Sequence, residues 1–265
     1  MSTERKDTVV AVVPARMASS RFPGKPLAMI AGLPMVEHVR RRAGLARTVD
    51  RVVVATCDKD IMAAIQGFDG AAVMTRDTHE RCTDRVQEAM ESVTGRIVVI
   101  VQGDEPLLDP ATVDAVVAPL LADPDLLCTN LVSPLSGPED LSDPDVVKAC
   151  CDLQGNVIYL TRAAVPFPRS PGPVPVYRQT GIMAFRTDFL HKFSQMAECP
   201  LERMESVDML RVLEHGYSIR GVLSDAPTVG VDRPEDLVRA ERLLAEDPTQ
   251  RALFESIRTN QSGLS

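Results

Sequence analysis

The 265-residue chain has no C-x-x-C pair and no histidine cluster at metal-ligand spacing; its six cysteines, Cys57, Cys82, Cys128, Cys150, Cys151 and Cys199, lie scattered. That pattern excludes the usual zinc frameworks and suits reduced thiols filling apolar gaps. There is no long apolar run near the start. The charged "MSTERKD" is followed by only five apolar positions, Val9 to Val13, too few for a secretory core or a membrane span, so a cytoplasmic protein is expected. Excess positive charge is lacking too. A formal net charge of −8 and a pI near 5.1 argue against a protein that coats nucleic acid, which needs a basic face, so any anion site must be local. Two phosphate-binding fingerprints are missing as well. No G-x-G-x-x-G occurs, and "GKP" at 24–26 lacks both the upstream glycine and the Ser/Thr that a P-loop requires.

What is present is ordinary for a globular enzyme: 45% hydrophobic and 25% charged residues, with a mean hydropathy of −0.02. The length suits one large α/β domain, expected over 1–247, with a tail over 248–265 that frays.

Short β-branched runs at 8–14, 51–56, 71–74 and 96–102 alternate with helical spacings at 34–46, 59–68, 83–93 and 110–123. Such alternation predicts a parallel sheet built from βαβ crossovers. Pro34 and Pro110 sit where a first-turn proline is tolerated. From about 126 the pattern changes to strands joined by turns, with "DLQGN" between two apolar runs reading as a hairpin. An antiparallel lobe at about 126–200, added to the first sheet, is therefore expected. The Pro- and Gly-dense stretch 165–177 reads as an extended loop suited to a flap. Helices near 203–214 and 234–246 flank a strand at 217–223.

Three clusters carry chemistry. "VVPARMASSRFPGKPL" (12–27) runs from a strand into Arg16, Ser19, Ser20, Arg21, Gly24 and Lys25, which can surround a triphosphate with guanidinium forks, hydroxyls, backbone N–H groups and one ammonium. A solvated charged loop has the same look, but cations directly after a buried strand favour a site at the sheet's carboxyl edge. "VQGDEP" (101–106) places Asp104 and Glu105 on that edge, and a hard dication with phosphate co-ligands needs only one or two carboxylates. "GVDRPEDL" (230–237) offers Asp232, although an aspartate before a proline-started helix is also an ordinary N-cap.

Together with "TDRVQEA", "DPDVVKACCD", "YLTRAAVPF" and "LRVLEHGY", these segments resemble the 3-deoxy-manno-octulosonate cytidylyltransferase (CMP-Kdo synthetase) family, in its order and approximate spacing, from Val9 to about Glu246. The resemblance implies a nucleotide-diphospho-sugar-transferase-like, Rossmann-like α/β fold: a mainly parallel sheet with helices on both faces and a smaller antiparallel lobe. It implies that CTP and a sugar acid give a CMP-sugar and pyrophosphate with Mg2+, in a homodimer. By position, Arg16, Ser19, Arg21 and Lys25 would hold the triphosphate, Arg85 and Gln102 would face cytosine, and Asp104 and Asp232 would bind the metal. Arg16, Lys25 and Asp104 form the implied catalytic set, while Arg162, Gln179, Met183, Phe185, Asp208 and Met209 form the acceptor set.

The acceptor set is where this chain departs from its relatives. Gln179, Met183 and Phe185 replace a histidine and two tyrosines, and Asp208 and Met209 replace glutamate and glutamine. A pocket losing those polar groups should not bind the same polyol equally well. The expected acceptor is thus Kdo or a relative, with a phosphonate gripped by Arg162 and the loop from Arg169 to Arg178 as one rival and a silent nucleotide-binding module as another. Arg81 and Cys82 stand where the family commonly has serine and glycine, either altering the nucleotide pocket or facing solvent.

Overall fold

The structure is a computed structural model and describes residues 8–19, 21–170, 172, 176–226 and 229–259. Ser20, four residues of the expected flap (171 and 173–175) and residues 260–265 of the expected tail lie outside the described residues. The chain forms two compact units, 1–114 with 227–265, and 115–226.

The first unit opens with β1 (Val9–Ala15), a small hairpin of β2 (Met29–Ile30) and β3 (Leu33–Pro34), and α1 (Met35–Ala43). It continues with β4 (Arg51–Thr56), α2 (Lys59–Gly67), β5 (Ala71–Met74), α3 (Cys82–Met90), β6 (Ile97–Ile100) and the start of α4 (Pro110–Ala122). Its strands lie in the order β5-β4-β1-β6, every pair parallel, as the alternating pattern requires. All seven residues of β1 are buried, which is why it reads as an unbroken apolar run rather than an alternating one. Pro34 immediately precedes α1 rather than opening it, and Pro110 opens α4.

The expected frayed tail is corrected. After α9 (Pro234–Glu246), residues Pro248–Thr259 form a further helix, α10. Asp247 Oδ1 accepts from Gln250 N at 2.9 Å and starts it, while Arg41 donates to Ile257 O at 2.7 Å and His38 stacks on Phe254 with centroids 5.4 Å apart. Within the described residues the tail is therefore a docked helix, mostly exposed but anchored by Ile257, that packs against α1, where Arg40 makes two 2.7 Å bonds to the wholly buried Glu37.

The second unit holds β7 (Cys128–Ser133), α5 (Pro138–Ser142), β8 (Lys148–Cys151), β9 (Asn156–Thr161), β10 (Val176–Arg186), α6 (Thr187–Gln195), α7 (Pro200–Glu205), α8 (Leu210–Glu214) and β11 (Ile219–Leu223). The β8–β9 hairpin forms at the expected turn, where Asp152 Oδ1 accepts from the backbone of Gln154 and Asn156. Pairings of β10 with β7 and β8, and of β11 with β9, are antiparallel, but β11 runs parallel to β7, so this unit is mixed and extends beyond the expected 126–200. The single helix expected over 203–214 is broken at Ser206, whose φ of 53° lies in the left-handed region.

Candidate active site

The site grows from strand order. The chain runs β1, β4, β5 outward and then returns to place β6 on the other side of β1, so the order reverses between β1 and β6. At such a point the loops leaving the strands' carboxyl ends diverge and open a crevice. Those loops are 16–24 and 101–109, the first two clusters of the sequence.

Local contacts shape the first loop. Asp58, just past β4, accepts from Met17 N at 2.8 Å, and Gly24, at φ 76°, donates its N–H to Met17 O at 3.1 Å. A glycine takes that left-handed turn at no steric cost. Gly103 is demanded by proximity instead, since a Cβ there would meet Pro14 O at 2.9 Å. The absent side chain lets the loop after β6 cross the end of β1.

A cavity of about 470 Å³ opens there. Arg16, Ser19, Arg21 and Lys25 line it from the first loop, Arg85 from α3, Gln102 and Asp104 from the second loop, and Asp232 from the segment before α9. All eight residues expected to hold nucleotide or metal thus surround one cavity. Lys25 Nζ donates to Asp104 Oδ2 at 2.9 Å and to Asp232 Oδ1 at 3.2 Å, and Arg21 Nη2 lies 3.6 Å from Asp232. Val231 N donates to Asp104 O at 2.9 Å, which ties the third cluster to the second. Asp232 is not the helix cap: Asp236 Oδ2 accepts the N–H groups of Asp232 and Arg233, leaving the Asp232 carboxylate to the cations.

At the α3 side, Arg85 is 3% exposed. Its Nη1 donates to Thr75 Oγ1 at 2.6 Å and to Arg76 O at 3.2 Å, while its buried Nη2 has no acceptor among the described residues. Gln102 Nε2 donates to Cys82 Sγ at 3.3 Å, and Arg81 and Cys82 both line the cavity, which settles their position. His79 lines it as well and is hydrogen-bonded to Glu88. Burial pushes the Glu88 carboxyl up, but bonds from His79 and Arg76 N and the charge of Arg76 outweigh it and hold the group below the usual range.

The acceptor set lies in the second unit, and three of its members need correction. Phe185 is wholly buried and packs on Phe189 and Phe193, with centroids 6.5 and 6.0 Å away; Met209 is wholly buried and Met183 is 4% exposed. These apolar side chains fill core and present almost no surface to a sugar. The polar members remain at least partly accessible. Gln179 Nε2 donates to Asn130 Oδ1 at 2.7 Å beside an irregularity in the β10–β7 register, where Asn130 Nδ2 caps the carbonyls of Leu131, Thr180 and Ile182. Arg162 directs Nε to Glu205 O and Nη1 to Pro144 O, both at 2.8 Å, so two of its three nitrogens are engaged by backbone. Asp208 is half-buried.

Residues 10–219 match the family model described as cytidylyltransferase. The chain belongs to the cytidylyltransferase family. It is 45% identical over 243 residues to the 3-deoxy-manno-octulosonate cytidylyltransferase of Syntrophotalea carbinolica, covering 88% of this chain and 97% of that one. To the enzyme of the same name from Solibacter usitatus it is 42% identical over 236 residues, covering 89% and 94%. A solved structure of CMP:2-keto-3-deoxy-manno-octonic acid synthetase complexed with CTP superimposes with a TM-score of 0.86 at 38% identity, covering 91% of this chain and 99% of that one. A 4-diphosphocytidyl-2C-methyl-D-erythritol synthase from Anaerococcus prevotii shares the fold, with a TM-score of 0.61 at 12% identity.

Within this cytidylyltransferase, sequence reasoning missed the residues that position others. Asp58 braces the loop after β1, Thr75 holds Arg85, and Glu88 holds His79. One signal was available: Glu88 lies on α3 three residues after Arg85, so both face the turn that precedes the helix.

Proposed function

We propose that this cytidylyltransferase transfers the cytidylyl group of CTP to 3-deoxy-manno-octulosonate or a close sugar-acid relative, releasing pyrophosphate. The observation that carries this reading is the convergence of three cations and two carboxylates on one cavity that is also lined by Arg85, whose buried guanidinium nitrogen has no acceptor among the described residues.

In the reaction, the acceptor's anomeric oxygen forms a bond to the α-phosphorus, the bond from that phosphorus to the bridging oxygen breaks, pyrophosphate departs and the hydroxyl proton passes to solvent. Arg16, Arg21 and Lys25 hold the triphosphate and offset the charge that grows on the departing pyrophosphate. Arg85 and Gln102 hold the base, so the α-phosphorus is fixed from both ends. No covalent enzyme intermediate is needed.

Asp104 and Asp232 suit Mg2+: both present hard carboxylate oxygens, and both already reach one ammonium. Among the described residues no group of three or more His, Cys, Asp or Glu converges, so the remaining positions fall to phosphate oxygens and water. Magnesium, when bound, supplies Lewis-acid neutralisation of the phosphate oxygens. The reading includes a homodimer built through the second unit, supported by the exposed apolar side chains of Leu153, Ile158, Phe167 and Met204, and work in the cytoplasm, where CTP is made.

Pyrophosphate release from CTP and Mg2+, measured across a panel of 3-deoxy-2-keto sugar acids and small phosphonates, tests the assignment. Turnover is expected with a sugar acid. Release with a phosphonate alone would replace the acceptor, and none with any acceptor would sink the reading.

A further inference from the structure

We infer that Glu205 is a positioning residue, which holds the Arg162 guanidinium ready for the anionic group of the acceptor. The inference rests on the reading of Arg162 as the member of the acceptor set that grips that anion. All the residues involved belong to the second unit.

Arg162 is held at four points. Its N donates to Glu205 Oε2 and its Nε to Glu205 O, both at 2.8 Å, so one residue grips the main chain and the side chain of Arg162 together. This is possible because α7 ends at Glu205, where Ser206 turns left-handed. A carbonyl at a helix's carboxyl end lacks an intrahelical partner and carries partial negative charge suited to a cation. The third point is Nη1 on Pro144 O at 2.8 Å, and the fourth is Arg162 O, which accepts from Lys148 Nζ at 2.7 Å. Lys148 is wholly buried and directs its other two N–H groups to Asp143 O at 2.8 Å and Val146 O at 2.7 Å, on either side of Pro144. The lysine thus fixes the carbonyl that receives Nη1 as well as the arginine's own.

What remains for a ligand is Nη2. It has no acceptor among the described residues, and no carboxylate there forms an ion pair with the guanidinium, so the charge is anchored by carbonyls without being neutralised. The Glu205 carboxylate is engaged on both oxygens: Oε2 by Arg162 N, and Oε1 by Thr161 Oγ1 at 2.5 Å and Tyr159 OH at 3.4 Å. Burial pushes the Glu205 carboxyl up, but these bonds and the charge of Arg162 outweigh it and hold the group below the usual carboxylate range. So placed, Glu205 acts through Arg162 and takes no proton from the acceptor. An arginine that must be ordered when the anion arrives weakens its binding, whereas one already fixed does not.

The test is steady-state pyrophosphate release by the full chain with CTP, Mg2+ and 3-deoxy-manno-octulosonate. Glu205→Ala is expected to raise KM for the sugar acid by about tenfold, with kcat and KM for CTP within about threefold of the parent. Glu205→Asp, one methylene shorter, draws the carboxylate back from Arg162 N and should raise the same KM by about threefold or more; it serves if the alanine variant folds poorly. Glu205→Gln should stay within about threefold of the parent, because Oε1 still accepts from Arg162 N while Nε2 donates to the two hydroxyls. In an Arg162→Met background, Glu205→Ala should change kcat/KM for the acid by less than about twofold. An unchanged KM in both Glu205→Ala and Glu205→Asp, a Glu205→Gln variant as impaired as Glu205→Ala, or an equal loss in the Arg162→Met background would overturn the inference and leave the proposed reaction standing. If Arg162→Met alone leaves KM for the acid unchanged, Arg162 does not grip the acceptor and the inference falls with that reading. No turnover by the unmodified chain would overturn the proposed function and the inference together.

Discussion

Lys25 and Asp104 meet at 2.9 Å although 79 positions separate them, and the contact joins the loop leaving β1 to the loop leaving β6. Lys25 is the better covered of the two, with 13% of its side chain exposed against 36% for Asp104. Under the proposed function, an incoming phosphate would take the ammonium and release the carboxylate toward a dication. Removing either charge is expected to lower kcat/KM for pyrophosphate release by about 10²- to 10³-fold, the range found for a donor aimed at developing charge. Lys25→Met and Asp104→Asn combined should cost less than the sum of the two, because they act on one exchange. Additive losses in steady-state kinetics would show that the two residues work apart.

Gly103 has no tolerance for a side chain. A Cβ there would come within 2.9 Å of Pro14 O, which is backbone and not the end of a flexible side chain, so Gly103→Ala must displace the loop that bears Asp104. A stability loss of about 1–3 kcal/mol in urea unfolding is expected, with at least a tenfold drop in turnover. A variant as active and stable as its parent would mean the strand end yields freely.

His38 gives the fold a pH limit on the acid side. Burial, with Arg42 and Arg41 close by, lowers its pKa from 6.5 to about 4 despite the bond to Ile30 O, which favours the charged form. A depressed folded pKa means the unfolded chain binds the proton first. The stability is thus whole above pH 6.5 and is lost as pH falls toward 4, by about 3 kcal/mol for this group. The variant His38→Phe should flatten the stability profile in that window, read from unfolding free energies at a series of pH values; an unchanged slope would remove His38 from the account.

Glu202 and Arg211 form a buried pair in the second unit, with bonds of 2.5 and 2.8 Å, Glu202 wholly buried and Arg211 over the Phe193 ring at 4.7 Å. Glu202→Gln leaves the guanidinium without its counter-charge and is expected to cost about 3–5 kcal/mol. Converting both, Glu202→Leu with Arg211→Met, should recover much of that loss, because no lone charge remains. Chemical denaturation of the three proteins checks both statements.

Much of this was legible because local chemistry and fold agree. The runs at 51–56 and 71–74 coincide with β4 and β5: β4, buried from Val52 to Thr56, needs an apolar run, while β5 is a partly exposed edge strand marked by its apolar residues alone. Cations after β1 and carboxylates after β6 marked the cavity for the same reason: strand ends at a reversal are where ligands bind. What was not legible depends on long-range packing. Phe185 and Met209 occupy positions that a family pattern assigns to substrate, yet their chemistry takes them into core, and only the packing of Phe189 and Phe193 reveals it. The run after Asp247 carries helical spacing of Leu253, Phe254 and Ile257, but its value lies in covering His38 and Arg41, which a linear reading does not connect to it.

The lone nitrogen of Arg85 has one more consequence. A donor shut away from water, with no acceptor among the described residues, raises the free energy of the folded chain, and a ligand that supplies the acceptor lowers it again. Folding and nucleotide supply are thereby linked by mass action: the melting temperature rises with the logarithm of nucleotide concentration once that exceeds the dissociation constant. Nucleotide would thus protect the folded chain against proteolysis in proportion to its occupancy of the cavity.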